Sequence, residues 1–91
     1  MKKVWKYKVT LELEQDIELP VGCKILALNK QGNRNEDEIY LWCLIDPDSP
    51  METRHFLLTP TFEELPENIL DYVGTLWLMN GSYVLHLFRL P

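Results

Sequence analysis

The sequence predicts an all-β domain: a small sandwich or partly open barrel of six or seven short, mostly antiparallel strands. Three observations carry this reading. Near the end, two apolar runs, Thr75-Leu76-Trp77-Leu78-Met79 and Tyr83-Val84-Leu85-His86-Leu87-Phe88, are joined at Asn80-Gly81-Ser82. Asn-Gly between hydrophobic runs is a hairpin signal, because both residues tolerate the positive φ of a tight primed turn. Val4–Leu13 alternates with period two, and Ile39–Ile45 is apolar at every position and of strand rather than helix length.

The elements follow in order. In Val4–Leu13, Trp5, Tyr7, Val9, Leu11 and Leu13 share one face, while Val4, Lys6, Lys8, Thr10 and Glu12 share the other. Glu14-Gln15 reads as a turn, and Asp16–Leu19 as the second arm of a first hairpin, closed by Pro20-Val21-Gly22. Lys24–Asn29 is a short strand, and Lys30–Glu38 a polar, exposed and mobile loop. Ile39–Ile45 is expected at the centre of the sheet, covered on both faces. Asp46-Pro47-Asp48-Ser49-Pro50 is a turn in which Asp side chains cap local N–H groups. His55–Thr59 is a further strand. Thr61-Phe62-Glu63-Glu64 fits a capping box, which places one short helical turn near 61–66 before Pro66 stops it. In the final hairpin, Trp77 and Met79 share one face and Leu76 and Leu78 the other.

Residues 1–91 are short enough for one domain with one core. Hydrophobic residues make up 46% of the chain, with three Trp, four Tyr and three Phe, which suits a packed core and not a disordered chain. No apolar run reaches the ~20 residues of a membrane helix. Lys6 and Lys8 interrupt the start, so it does not read as a signal peptide. A cytoplasmic location is expected, with Cys23 and Cys43 reduced and packed as small hydrophobes.

Charge is unevenly spread around the net of −5. Residues 1–8 carry four Lys and no acid, whereas residues 36–71 carry ten acids against Arg54 alone. Such acidity repels phosphate and argues against general nucleic-acid binding. It suits a basic protein partner, because complementary fields speed and orient encounter. Glu36, Asp37, Glu38, Asp46 and Asp48 are the candidate contacts. If the apolar strand or the hairpin leaves a face uncovered, self-association into a homo-oligomer is the simplest answer.

No catalytic set is legible, and no enzyme is expected. His86 shares a face with Val84 and Phe88, but no nucleophile can be set beside it. Cys23, Cys43, His55 and His86 lack the close pairing of zinc ligands. Asp46 and Asp48 lack the downstream geometry of a calcium loop. No phosphate loop and no nucleophile elbow are present, so neither cofactor nor metal is expected. Aromatic residues among them Tyr40, Trp42 and Trp77 are a conceivable stacking platform, with core packing as the default role.

The order of several short motifs resembles a family. Trp5-Lys6-Tyr7, Ile17-Glu18-Leu19-Pro20 with Gly22, and Lys24-Ile25-Leu26 form one block. Leu41-Trp42 with Ile45-Asp46-Pro47 forms a second. Arg54-His55-Phe56, Tyr72-Val73-Gly74-Thr75 and Val84-Leu85-His86-Leu87-Phe88 complete it. Together they look like a family of small uncharacterised proteins encoded by bacteriophages and prophages. That resemblance implies an accessory gene product acting in the cytoplasm of a bacterial host. The expected function is non-enzymatic binding of a host protein, with inhibition of a defence system as the outcome. The alternative is an oligomer that sequesters a nucleotide signal, with Lys6, Lys8, Arg54 or Arg89 meeting the phosphates.

Overall fold

The computed structural model describes residues 1–32 and 38–91. Seven strands are found among them: β1 (Lys3–Val9), β2 (Glu14–Pro20), β3 (Lys24–Lys30), β4 (Ile39–Ile45), β5 (Met51–Pro60), β6 (Asp71–Leu78) and β7 (Tyr83–Leu90). They form two antiparallel sheets, one of order β1-β4-β3 and the other β2-β5-β7-β6. The sheets pack face to face and do not close into a barrel, so the sandwich is the correct member of the expected pair.

Alternation decides which side chains meet between the sheets. On β4, Ile39, Leu41, Cys43 and Ile45 are buried, while Tyr40, Trp42 and Leu44 are half-buried. The strand is central in its sheet, as expected, but only one face is fully covered. Opposing it are Ile17 and Leu19 of β2, Phe56 and Leu58 of β5, Leu76 and Leu78 of β6, and Leu85 and Leu87 of β7. The division expected for the last hairpin is found: Leu76 and Leu78 are buried, and Trp77 and Met79 are exposed. Its closing pair is Leu78 and Tyr83, with Met79–Ser82 as the connection. Met79, Asn80 and Gly81 all have positive φ, so three left-handed residues take the place of a two-residue primed turn.

The first hairpin is a correction. β1 pairs with β4 and β2 with β5, so the two lie in different sheets. The chain crosses between sheets at residues 10–13, and Gln15 holds that corner. Its carboxamide accepts from the Thr10 N–H (3.0 Å) and donates to the carbonyls of Thr10 (3.0 Å) and Glu12 (2.9 Å). Leu11 and Leu13 fall in the corner rather than on a strand face, and are 47% and 60% exposed.

The expected helical turn near 61–66 is also corrected. Residues 61–62 form a turn that does not continue into a helix, and 63–66 have no regular structure; among the described residues the one helical segment is the 3₁₀ turn Met79–Gly81. The Thr61 hydroxyl is bonded to His86 Nε2 at 2.7 Å rather than capping a helix, and Phe62 has a φ of 75°, outside the helical region. The Asp46–Pro50 turn forms as read, with Asp46 Oδ1 accepting from the Asp48 N–H at 3.0 Å. No helix among the described residues is long and apolar enough to cross a membrane.

Candidate binding surfaces

The sequence-derived acidic contacts do not converge. Glu36 and Asp37 lie outside the described residues, as does most of the Lys30–Glu38 loop. Glu38 precedes β4 and Asp46 follows it, so they stand at opposite ends of one strand, roughly 25 Å apart at ~3.3 Å per residue. Glu38 also has a local role. It accepts a 2.5 Å hydrogen bond from the Tyr40 hydroxyl, and this bond, then Lys8, holds its carboxyl below the ordinary range. Asp46 is engaged in its own turn.

Lys6 and Lys8 do come together, on the outer face of the three-stranded sheet. Register sets Lys6 opposite Trp42 and Lys8 opposite Tyr40. Lys6 Nζ lies 4.5 Å from the Tyr40 ring centroid and 5.8 Å from that of Trp42, and Lys8 Nζ is 5.5 Å from Tyr40. Lys6 also donates to the Gln31 side chain. These ammonium groups cover the aromatic rings that a base would have to stack on.

Arg54 and Arg89 are gathered elsewhere. β5 begins at Met51, earlier than the pattern from His55 suggests, and this brings Arg54 onto the same face as Phe56 and Leu58. Arg89 pairs in register with Phe56, so both guanidinium groups face the space between the sheets. They line a cavity of about 270 Å³ with Ile25, Asp71, Tyr72 and Val73.

His86 sits on the outer face of the four-stranded sheet. Its ring nitrogens contact the hydroxyls of Thr61 (2.7 Å) and Thr75 (3.0 Å), and Thr75 contacts the Tyr72 hydroxyl at 2.5 Å. His55 lies on the same face, 2.5 Å from Asp16. Cys23 and Cys43 instead meet in the core as free thiols, so the four do not assemble into one ligand set. Burial, then the neighbouring Cys23, pushes the Cys43 thiol up to about 12.

The surface that sequence reasoning missed is the segment between β5 and β6. Phe62 is fully exposed and held at a φ of 75°. A bulky residue in that region costs about 1–2 kcal/mol relative to an ordinary conformation. Leaving a Phe side chain in water forgoes roughly another 2 kcal/mol of burial. Glu63, Glu64 and Glu67 are exposed around it, and no basic residue lies between Thr61 and Asp71. Beside it lies a groove of about 340 Å³ with an apolar wall (Leu13, Leu57, Pro60, Pro66) and Glu14, Glu63 and Glu64 on its lining. The signal for it in the sequence was Pro60 and Pro66 bracketing an aromatic among carboxylates, which the capping-box pattern obscured.

No curated protein and no solved structure matches the chain. A family model matches residues 1–91 from end to end. The chain therefore belongs to the family defined by the domain of unknown function DUF7352.

Proposed function

We infer that this domain works without catalysis, by binding a basic surface of another protein through the Phe62 segment. The observation that supports this is Phe62 itself: a large apolar side chain, in a costly backbone conformation, presented wholly to solvent. Strain of this kind marks sites where presentation matters more than stability. Interface energy concentrates in a few aromatic anchors, and charge around them sets encounter rate and partner choice. Phe62 supplies the anchor. Glu63, Glu64 and Glu67 supply the field, and the neighbouring groove accepts an apolar side chain flanked by Lys or Arg.

The resemblance in motif order supports reading the domain as a phage- or prophage-encoded accessory protein that acts in the cytoplasm of the infected cell. A bacterial host protein with an exposed basic, apolar segment is then the partner class, and components of antiviral defence are the first to screen.

The test compares tagged wild-type protein with Phe62→Ala in bacterial host lysate, with folding of both checked by circular dichroism. The expected result is one stoichiometric partner, captured by the wild type at low salt, weakened as salt rises, and lost from Phe62→Ala. Equal capture by both proteins, or no stoichiometric partner, overturns the reading.

A further inference from the structure

The interior of a sandwich this small has little room for charge, yet two guanidinium groups enter it. Arg54 is only 9% exposed. Its Nε donates to Glu52 at 2.9 Å and its Nη2 to the carbonyl of Cys23 at 3.4 Å, so its charge is balanced within the protein. Arg89 differs. Its Nε is buried and has no hydrogen-bond partner. Asp71 stands directly opposite Arg89 in the β6–β7 register and lines the same cavity. Among the described residues, neither Arg89 nor Asp71 has an ion-pair partner.

A buried donor without an acceptor costs free energy that a ligand can return. Arg89 and Asp71 both line the cavity, so it sets a guanidinium with an unsatisfied Nε beside an acceptor carboxylate. A ligand that answers both carries an oxyanion next to a group that donates a hydrogen bond. Arg suits this task, because its planar fork takes two oxygens of a carboxylate or phosphate at once. Size narrows the choice. At about 270 Å³ the cavity is below the roughly 300–1,000 Å³ of sites for drug-sized molecules, so it fits a small acid rather than a whole nucleotide.

We propose that the Arg54–Arg89 cavity between the sheets is a binding site for a small oxyanion, a carboxylate or phosphate with an adjacent hydroxyl or amine. Arg89 takes the oxyanion, Asp71 takes the adjacent donor, and Arg54, fixed by Glu52 and the Cys23 carbonyl, forms the wall beside them. None of the residues lining this cavity lines the groove beside Phe62, so the site is independent of the protein-binding reading.

The test is a titration of ¹⁵N-labelled protein followed through the side-chain Nε–H resonance of Arg89. The probes are inorganic phosphate, glycolate, and acetate, which is glycolate without its hydroxyl. Phosphate and glycolate separate the two oxyanion sources. Saturable movement of the Arg89 resonance by at least one of them is expected, with glycolate binding about tenfold or more tightly than acetate. Asp71→Asn should bring glycolate down to the acetate level. Arg89→Gln should abolish saturable movement of the Ile25 and Val73 amides. If Arg89→Gln does not fold, the wild-type Arg89 resonance alone decides. Movement that stays linear with concentration for phosphate and glycolate alike overturns the site. Equal affinity for glycolate and acetate overturns the role of Asp71.

Discussion

Gly74 lies against Leu28: a Cβ built on the glycine would stand 2.9 Å from the Leu28 Cβ and 3.3 Å from its Cδ2. Gly74 is on β6 and Leu28 on β3, so this contact sets how closely one edge of the three-stranded sheet approaches one edge of the four-stranded sheet. The first of these atoms is not the far end of a flexible side chain, so β3 itself must give way. Gly74→Ala is therefore expected to destabilise by about 1–3 kcal/mol, as overpacking does. A chemical denaturation curve checks this; an unchanged midpoint would show that the two edges slide freely.

Gln15 closes the corner between β1 and β2 by bonding three backbone groups at once. Removing it with Gln15→Ala should lower stability by about 1–2 kcal/mol, since all three bonds are solvent-exposed and each falls near the lower end of the roughly 0.5–1.5 kcal/mol such a bond contributes. Gln15→Glu should do no better, because a carboxylate cannot donate to the carbonyls of Thr10 and Glu12. Urea midpoints of the two variants test this, and a harmless Gln15→Glu contradicts it.

Cys43 should be inert in the folded protein. With its thiol pushed up to about 12 by burial and then by Cys23, the thiolate needed for reaction is scarce at pH 8. Thiol-labelling kinetics followed by mass spectrometry should show modification of Cys43 only on unfolding. The stability consequence has a definite sign. The unfolded thiol ionises near 9.0 and the folded one near 12, so the folded state holds its proton longer. This contribution is full below pH 9 and is lost as pH rises toward 12. Cys43→Ala should flatten that alkaline slope, and an identical slope in the variant refutes the assignment.

Phe62→Gly should separate stability from binding. Glycine accepts a φ of 75° without steric cost. Relief of about 1–2 kcal/mol is partly offset by the greater entropy of Gly in the unfolded chain. A net gain of about 0.5–1 kcal/mol in denaturation is expected, together with loss of partner capture. A less stable Phe62→Gly would mean that the ring contributes to folding.

Much of the framework was legible because local pattern and burial agree. Ile39–Ile45 has the bounds of β4, and the β6–β7 hairpin presents Leu76 and Leu78 inward, as period-two alternation requires. Pairing was not legible where partners are distant. Val4–Val9 does form a strand, though Trp5 on its expected inner face is exposed and only Val9 is buried; Lys3 pairs with Ile45, and Glu14 with Leu57. A hairpin between neighbouring strands was the local answer, and the need to cover both sheets overrode it. The Arg54–Arg89 cavity was half legible. Arg54 two residues before Phe56 is a charge on an apolar face, but its meeting with Arg89 depends on a register that only the sheet supplies. Phe62 was misplaced because Thr61 and Glu64 satisfy a helix-capping pattern whose hydroxyl is in fact claimed by His86.

The order of the four-stranded sheet governs how the chain is made. β7, the last of the seven described strands, lies between β5 and β6. A nascent chain that has reached Ser82 holds both flanking strands with nothing to join them, each with an unpaired row of amide and carbonyl groups. At about 5–20 residues per second, translation leaves those rows open until β7 emerges. The sandwich therefore closes from its final strand, after synthesis of residues 83–90 rather than during it, and a ribosome stalled within them would hold an adhesive intermediate rather than a nearly finished fold.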